Sequence, residues 1–294
     1  MAKFAAPARQ AASVLKAVQG RVLRSVGTVR NYEQALTRVA EYVRDTRVCA
    51  GLRSLSREQA IVYLEQRGQQ VGQKTLDLER QAIQCLFLHV TGQLAAGQRL
   101  PVVRSSKPQV LVARAYTPEQ VRLIAAAQNP YNALATEIAY AAGLRAHELL
   151  TLRPLIERAA DPRPALESKW RARDGVHYTV VGKGGLVREV LLPRELAARL
   201  ETERLPVPEH ITDRGIFHDQ HYRIGGGQRW SNSFSAASRR VLGWSEGAHG
   251  VRHSYAQERL YELQHAGLSY EQALETISQE MGHFRPEITL TYLR

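Results

Sequence analysis

The chain is nearly free of cysteine: among 294 residues only Cys49 and Cys85 carry a thiol. Neither belongs to a CxxC pair or a His/Cys cluster, which excludes a disulfide framework and a zinc knuckle and fits a reducing compartment such as the cytoplasm. No run approaches the ~18 apolar residues that would cross a bilayer, so a soluble protein with no membrane partner is expected. Acid is missing from one end. The first 32 residues hold no Asp or Glu, yet they carry Lys3, Arg9, Lys16, Arg21, Arg24 and Arg30.

What is present is an ordinary globular composition, 44% hydrophobic and 23% charged, in a chain long enough for two domains. The net charge of +12 is unevenly spread. Residues 1–105 hold 16 bases and seven acids, whereas residues 106–294 hold 24 and 21. A basic first third is the footprint of a polyanion, most often nucleic acid. The acid-free start could also be an organellar transit peptide; a basic arm over residues 1–27, lying along a phosphate backbone, is the preferred expectation.

Residues 28–105 read as a helical domain. Thr28 can cap a helix in which Tyr32, Leu36, Val39 and Val43 recur at helical spacing. Ser56 and Gln59 form a capping box for a second helix that closes at Gly68, and "TLDLERQAIQCLFLHVTG" supplies a third. Prolines, a Ser-Ser pair and bases without periodicity mark a linker over 106–116. Thr117-Pro118-Glu119-Gln120 then starts a helix and a second domain, 117–294. In it "VHYTVVGKGGLVREVLLP" reads as a β-hairpin turning at Gly-Gly, after which helices resume beyond Pro193. The fold class expected is mainly α with a small antiparallel β-sheet, a helical domain followed by an α+β domain.

Four stretches of the second domain carry candidate chemistry. Arg145 lies in "AAGLRAHELLTL", between Gly143, which ends one helix, and the start of the next. Lys183 sits among glycines at the hairpin tip; His249 and Arg252 are three apart in "HGVRHSYA"; His283 and Tyr292 are nine apart in "MGHFRPEITLTYLR". Each has an ordinary structural explanation alone: a cap or a Glu148 partner, a solvated turn, a surface pair, a docking aromatic. Together they make an inventory for phosphoryl transfer. Two guanidinium groups can fork onto a phosphodiester, histidines can donate to it or move a proton, a lysine can protonate a leaving alkoxide, and a phenol can attack phosphorus. No acidic metal-binding cluster accompanies them in the sequence.

This ordered set, "GLR–EL", a hairpin lysine, "HGVRH", "MGH" and then tyrosine, resembles the tyrosine recombinase (phage integrase) family across about residues 110–294, with the helical domain resembling the family's core-binding domain. The resemblance implies that Arg145 and Arg252 clamp the scissile phosphate, His283 donates to it and His249 accepts the phenol proton. It further implies that Lys183 acts as general acid for the leaving 5′-hydroxyl and that Tyr292 forms a 3′-phosphotyrosyl link. No metal and no nucleotide cofactor is implied. The partner the resemblance implies is double-stranded DNA, bound by a homotetramer on two sites, with an expected location in the cytoplasm at the nucleoid of a bacterium or from a mobile element.

Two stretches look longer than the family's usual ones, the run between Arg145 and Lys183 and the helix after Arg252. The chain also stops two residues past Tyr292, where many family members continue into a tail that docks on a neighbouring protomer. The basic arm or a longer internal segment is expected to make that contact here. Two other activities fit the same residues, type IB topoisomerase-like relaxation of DNA and a catalytically silent DNA-binding regulator.

Overall fold

Pro7, with φ preset and no N–H to lose, begins helix α1 (Pro7–Val18). Its Ala11, Val14, Leu15 and Val18 recur at helical spacing and are fully buried, while Arg9 and Lys16 are exposed. The basic arm expected over 1–27 is thus, from residue 7, a packed helix: four apolar side chains spaced between the bases outweigh the tendency of a charged segment to stay extended.

The computed structural model describes residues 5–109 and 112–294 and separates into two units, Met1–Val110 and Leu111–Arg294. In the first, α2 (Val26–Thr46) starts one turn earlier than Thr28, with Ser25 at its N-cap. Both bonds of the Ser56–Gln59 capping box form at the head of α3 (Arg57–Gly68). Helix α4 (Gln73–Leu86) runs into a π turn over Phe87–Thr91 and stops at Gly92, whose φ of 70° a side chain would disfavour. Val14, Leu36, Val39, Leu64, Ile83 and Phe87 meet in one core. Beside it the buried Glu79 accepts from the Tyr63 hydroxyl at 2.7 Å and from Arg67.

The expected linker includes residues 110–111, which lie outside the described residues. Its approach is tied to the first unit: Ser105 Oγ donates to the Val71 carbonyl at 2.6 Å, and Gln73 Nε2 to that of Val103 at 3.0 Å.

The second unit opens as the sequence predicts, with the Thr117–Gln120 capping box and Pro118 at the first position of α5 (Pro118–Ala126). Helix α6 (Pro130–Ala141) follows, capped by Asn129. Arg145 does not start a regular helix; it sits in a turn whose next turn is a short 3₁₀ segment, Glu148–Thr151. Strands β1 (Arg153–Pro154), β2 (Val176–Val181) and β3 (Val187–Leu192) form an antiparallel sheet in that order. The expected hairpin is β2–β3, and Lys183–Gly185 make its turn, with Gly184 and Gly185 at φ of 78° and 85°.

Helices do not simply resume after Pro193. Helix α7 (Arg194–Thr202) leads into a second hairpin, β4 (Arg204–Asp213) and β5 (Ile216–Tyr222). Pro206 and Pro208 hide β4 from a pattern reading, because proline cannot donate to a ladder. The pairing is correspondingly irregular between Arg204 and Glu209. Then come α8 (Gly227–Leu242), α9 (Gly250–His265), α10 (Tyr270–Glu280) and the single turn α11 (Pro286–Thr289). Trp230, Phe234 and Ile138 pack with Tyr178, Val180 and Val190 of the sheet in the main core. A smaller core gathers Tyr255, Leu263, Ile277, Met281 and Tyr292. The fold is mainly α with small antiparallel sheets.

Candidate active site

The buried start of α9 and the two turns that meet it build the site. His249 is the N-cap residue of α9 and Arg252 lies in its first turn, at 0% exposure. One turn, Gly143 to Glu148, brings Arg145 from one side. The other, Gly282 to Tyr292, brings His283 and the tyrosine. Gly143 has φ of 59°, and a Cβ there would fall 2.7 Å from the Tyr255 ring, so only glycine lets the first turn close on α9.

Glu148 is the carboxylate at the centre. It is fully buried and accepts from Arg145 Nη1 at 2.7 Å, from the Arg145 backbone N–H at 2.8 Å and from Arg188 Nη2 at 2.7 Å. Arg252 Nη1 stands 3.8 Å from the same carboxylate. Burial opposes ionisation of Glu148, but the charges of Arg188, Arg252 and Arg145 outweigh it and hold the carboxyl well below the usual carboxylate range. Burial, and then the neighbouring Arg145, lower Arg252 to about 10, which leaves it a cation at neutral pH.

Arg252 spends its donors on the Gly143 carbonyl, on the Met281 carbonyl at 3.3 Å and on His283 Nε2 at 3.1 Å. Its buried Nε–H has no partner among the described residues. Since Arg252 can only donate, His283 Nε2 accepts, and the ring proton lies on Nδ1, 3.0 Å from Thr289 Oγ1. Burial, followed by the charges of Arg252 and Arg145, pushes His283 down to about 3. The ring is neutral at pH 7.

Tyr292 ends in this cluster at 8% exposure. Its hydroxyl lies 3.2 Å from His249 Nε2, its ring stacks on His283 with centroids 5.0 Å apart, and Arg252 Cζ lies 5.5 Å from the ring centre. Gln257 Nε2 on α9 donates to the Tyr292 carbonyl at 3.2 Å and to that of Arg294 at 2.6 Å, pinning the terminal turn to its own chain. His253 closes the far side, its ring 4.8 Å from that of Tyr292. Burial first, and then the charge of Arg252, press His249 below its ordinary value; burial and Arg114 bring His253 to about 4.

Solved structures share this architecture. The XerH site-specific recombinase bound to palindromic difH substrate, a post-cleavage complex, superposes with a TM-score of 0.59 at 16% identity, over 98% of this chain and 90% of that one. The Tn1549 transposon integrase in complex with transposon right end DNA gives 0.55 at 14%, over 99% and 95%. A lambda integrase tetramer bound to a Holliday junction gives 0.57 at 17%, over 97% and 76%. No family model matches the sequence, and no curated protein matches it.

The fold is that of the site-specific recombinases and integrases.

On this recombinase fold the structure brings Arg252, His283, His249 and Tyr292 into direct contact, and Arg145 joins them through Glu148. Lys183 stands apart. It is exposed on the β2–β3 turn and makes no hydrogen bond or ion pair with the other five. Its preceding residue is close by, however: a Cβ on Gly182 would lie 3.3 Å from Glu148 Oε1 and 4.0 Å from Arg145 Nη1. Glu148 is the Arg145 partner that the sequence offered, whereas Arg188, Thr289 and Gln257 escaped a reading based on reactive groups. Only Arg188 left a clear mark, since strand alternation puts it on the same face as Val190 and Leu192.

Proposed function

We propose that the protein is a site-specific tyrosine recombinase that cuts and rejoins double-stranded DNA through a covalent link to Tyr292. One observation carries this reading: the Tyr292 hydroxyl is hydrogen-bonded to a neutral His249, and the Tyr292 ring lies against a buried guanidinium that has a donor to spare.

The phosphodiester would lie on Arg252 and Arg145, its non-bridging oxygens taking the free Nε–H of Arg252 and the outer N–H groups of Arg145. Three guanidinium groups share one carboxylate here, so the cluster keeps a positive excess that a phosphate anion offsets. Tyr292 Oη attacks phosphorus while its proton passes to His249 Nε2. The P–O5′ bond breaks, Lys183 gives the departing 5′-oxygen a proton, and the DNA 3′ end stays on the tyrosine. Attack by the 5′-hydroxyl of a second strand reverses each step, so the number of phosphodiester bonds is conserved and no cofactor enters.

His283 has a two-way part. As arranged it holds Arg252 by accepting at Nε2. Shifting its proton from Nδ1 to Nε2 would aim a donor at the phosphate, with the Thr289 hydroxyl then donating to Nδ1, because a hydroxyl can serve in either direction. The superposition on a tetramer bound to a Holliday junction supports a homotetramer acting on two DNA sites.

Incubating the protein with a random duplex library, trapping adducts and sequencing the attached 3′ ends tests the proposal. A shared sequence at the break, and exchange between two plasmids that carry it, are expected. Adducts at unrelated sequences, with relaxation of any supercoiled plasmid, would mean a topoisomerase instead; binding without adducts would mean a silent regulator.

A further inference from the structure

Arg188 is a buried cation that no step above uses. It is 4% exposed, on β3, and paired across the ladder with Val180. It forks onto Glu148, Nη2 at 2.7 Å and Nε at 3.3 Å, and its Nη1 donates to the Glu280 carbonyl at 2.7 Å. One side chain thereby joins the hairpin that bears Lys183, the carboxylate that orients Arg145, and the turn that leads to His283.

The hairpin is also held from outside by the run between Arg145 and Lys183. Asp161 forms a two-bond clasp with Val187, its N–H donating to the Val187 carbonyl and its Oδ2 accepting from the Val187 N–H, both at 2.9 Å. Lys169 pairs with Glu189 at 2.8 Å. The same run reaches α10, where the Leu166 N–H donates to Gln279 at 2.9 Å and that of Trp170 to Glu280 at 3.0 Å.

We propose that Arg188, backed by the Asp161 clasp, is the positioning residue for Lys183. The turn itself cannot place the lysine: two of its three residues are glycines at positive φ, and the side chain is exposed. What is fixed is the base of the hairpin. Gly182 is set against Arg145 and Glu148 by the Arg188 fork, and Lys183 starts one residue, ~3.8 Å, beyond it. From there a lysine can reach a phosphate held by Arg145. Arginine is required at position 188, because the ammonium of a lysine cannot span a carboxylate fork and a carbonyl on a separate turn.

This inference rests on the proposed strand-cleavage function, and its test is specific to the leaving group. A nicked duplex carrying the sequence recovered from wild-type adducts is made with oxygen or with sulfur at the bridging 5′ position. A thiolate leaves without protonation, so it bypasses a general acid. Arg188→Lys should slow adduct formation on the oxygen substrate roughly a hundredfold and regain most of the rate on the sulfur substrate, as Lys183→Ala should. The double variant should be no slower than Lys183→Ala alone, since both changes disable the same step. Equal slowing on both substrates, or multiplicative losses in the double variant, would overturn the proposal. Asp161→Ala, at an exposed position outside the arginine cluster, must show the same sulfur-selective rescue in smaller degree. If Arg188→Lys fails to fold and Asp161→Ala cleaves both substrates at the wild-type rate, the proposal is likewise overturned. Absence of any adduct with the wild-type protein would instead defeat the strand-cleavage reading beneath it.

Discussion

Gly282 lies against the side chain of Arg188: a Cβ at Gly282 would stand 2.6 Å from Arg188 Cδ, and its own φ is 70°. The glycine before His283 is thus where the hairpin's buried arginine passes under the histidine turn. Gly282→Ala meets backbone strain, a cost of about 1–3 kcal/mol, and displaces a side chain held by three hydrogen bonds. Thermal unfolding should show the loss of stability. Cleavage measured well below the melting temperature should fall as well; an unchanged rate there would mean the contact serves packing alone.

Glu148→Gln removes the carboxylate that three guanidinium groups share. Breaking a buried ion pair from one side costs about 3–5 kcal/mol, and a large drop in melting temperature is expected. Inorganic phosphate should then raise the melting temperature of the variant more than that of the wild type, because an anion can take the vacated charge and binds only the folded state. Equal shifts would argue that the cluster does not hold anions.

The histidines set a pH dependence. Burial and then Arg114 bring His253 from 6.5 to about 4. Between those values the unfolded chain binds more protons than the folded one, so unfolding free energy rises with pH and stability is lost as pH falls from 6.5 toward 4. The contribution of His253 is on the order of 3 kcal/mol. Melting curves across this window should slope less steeply for His253→Phe than for the wild type. Parallel slopes would contradict the assignment.

DNA affinity should depend steeply on salt. Several phosphate contacts per protomer imply a loss on the order of a hundredfold between 50 and 200 mM salt. A binding titration at both concentrations checks this, and a flat response would remove the polyanion as partner.

Much of this was legible in the sequence, for identifiable reasons. The capping boxes at Ser56 and Thr117 and the glycine turn after Lys183 are local, and local hydrogen-bond chemistry survives folding unchanged. The six candidate side chains were chosen by type and spacing, and the structure gathers all of them but Lys183 around Arg252. Glu148 was legible only as a local partner of Arg145, and Arg188 only as an inward-facing strand residue; that both join Arg252 in one cluster takes the convergence of distant segments. Helix α1 was masked by its bases and β4 by its prolines, both cases where composition outvoted the pattern. Thr289 and Gln257 bear no special chemistry, and nothing short of the folded terminal turn shows what they hold.

The central claim is that the Tyr292 phenol reacts rather than packs. Denaturing electrophoresis of wild type and Tyr292→Phe after incubation with nicked duplex DNA decides it. The substitution leaves the ring in its stack on His283 and removes only the hydroxyl that meets His249, a bond of about 0.5–1.5 kcal/mol. The account requires a covalent protein–DNA band from the wild type, none from Tyr292→Phe, and equal DNA binding by both. An adduct of undiminished yield from Tyr292→Phe would contradict it.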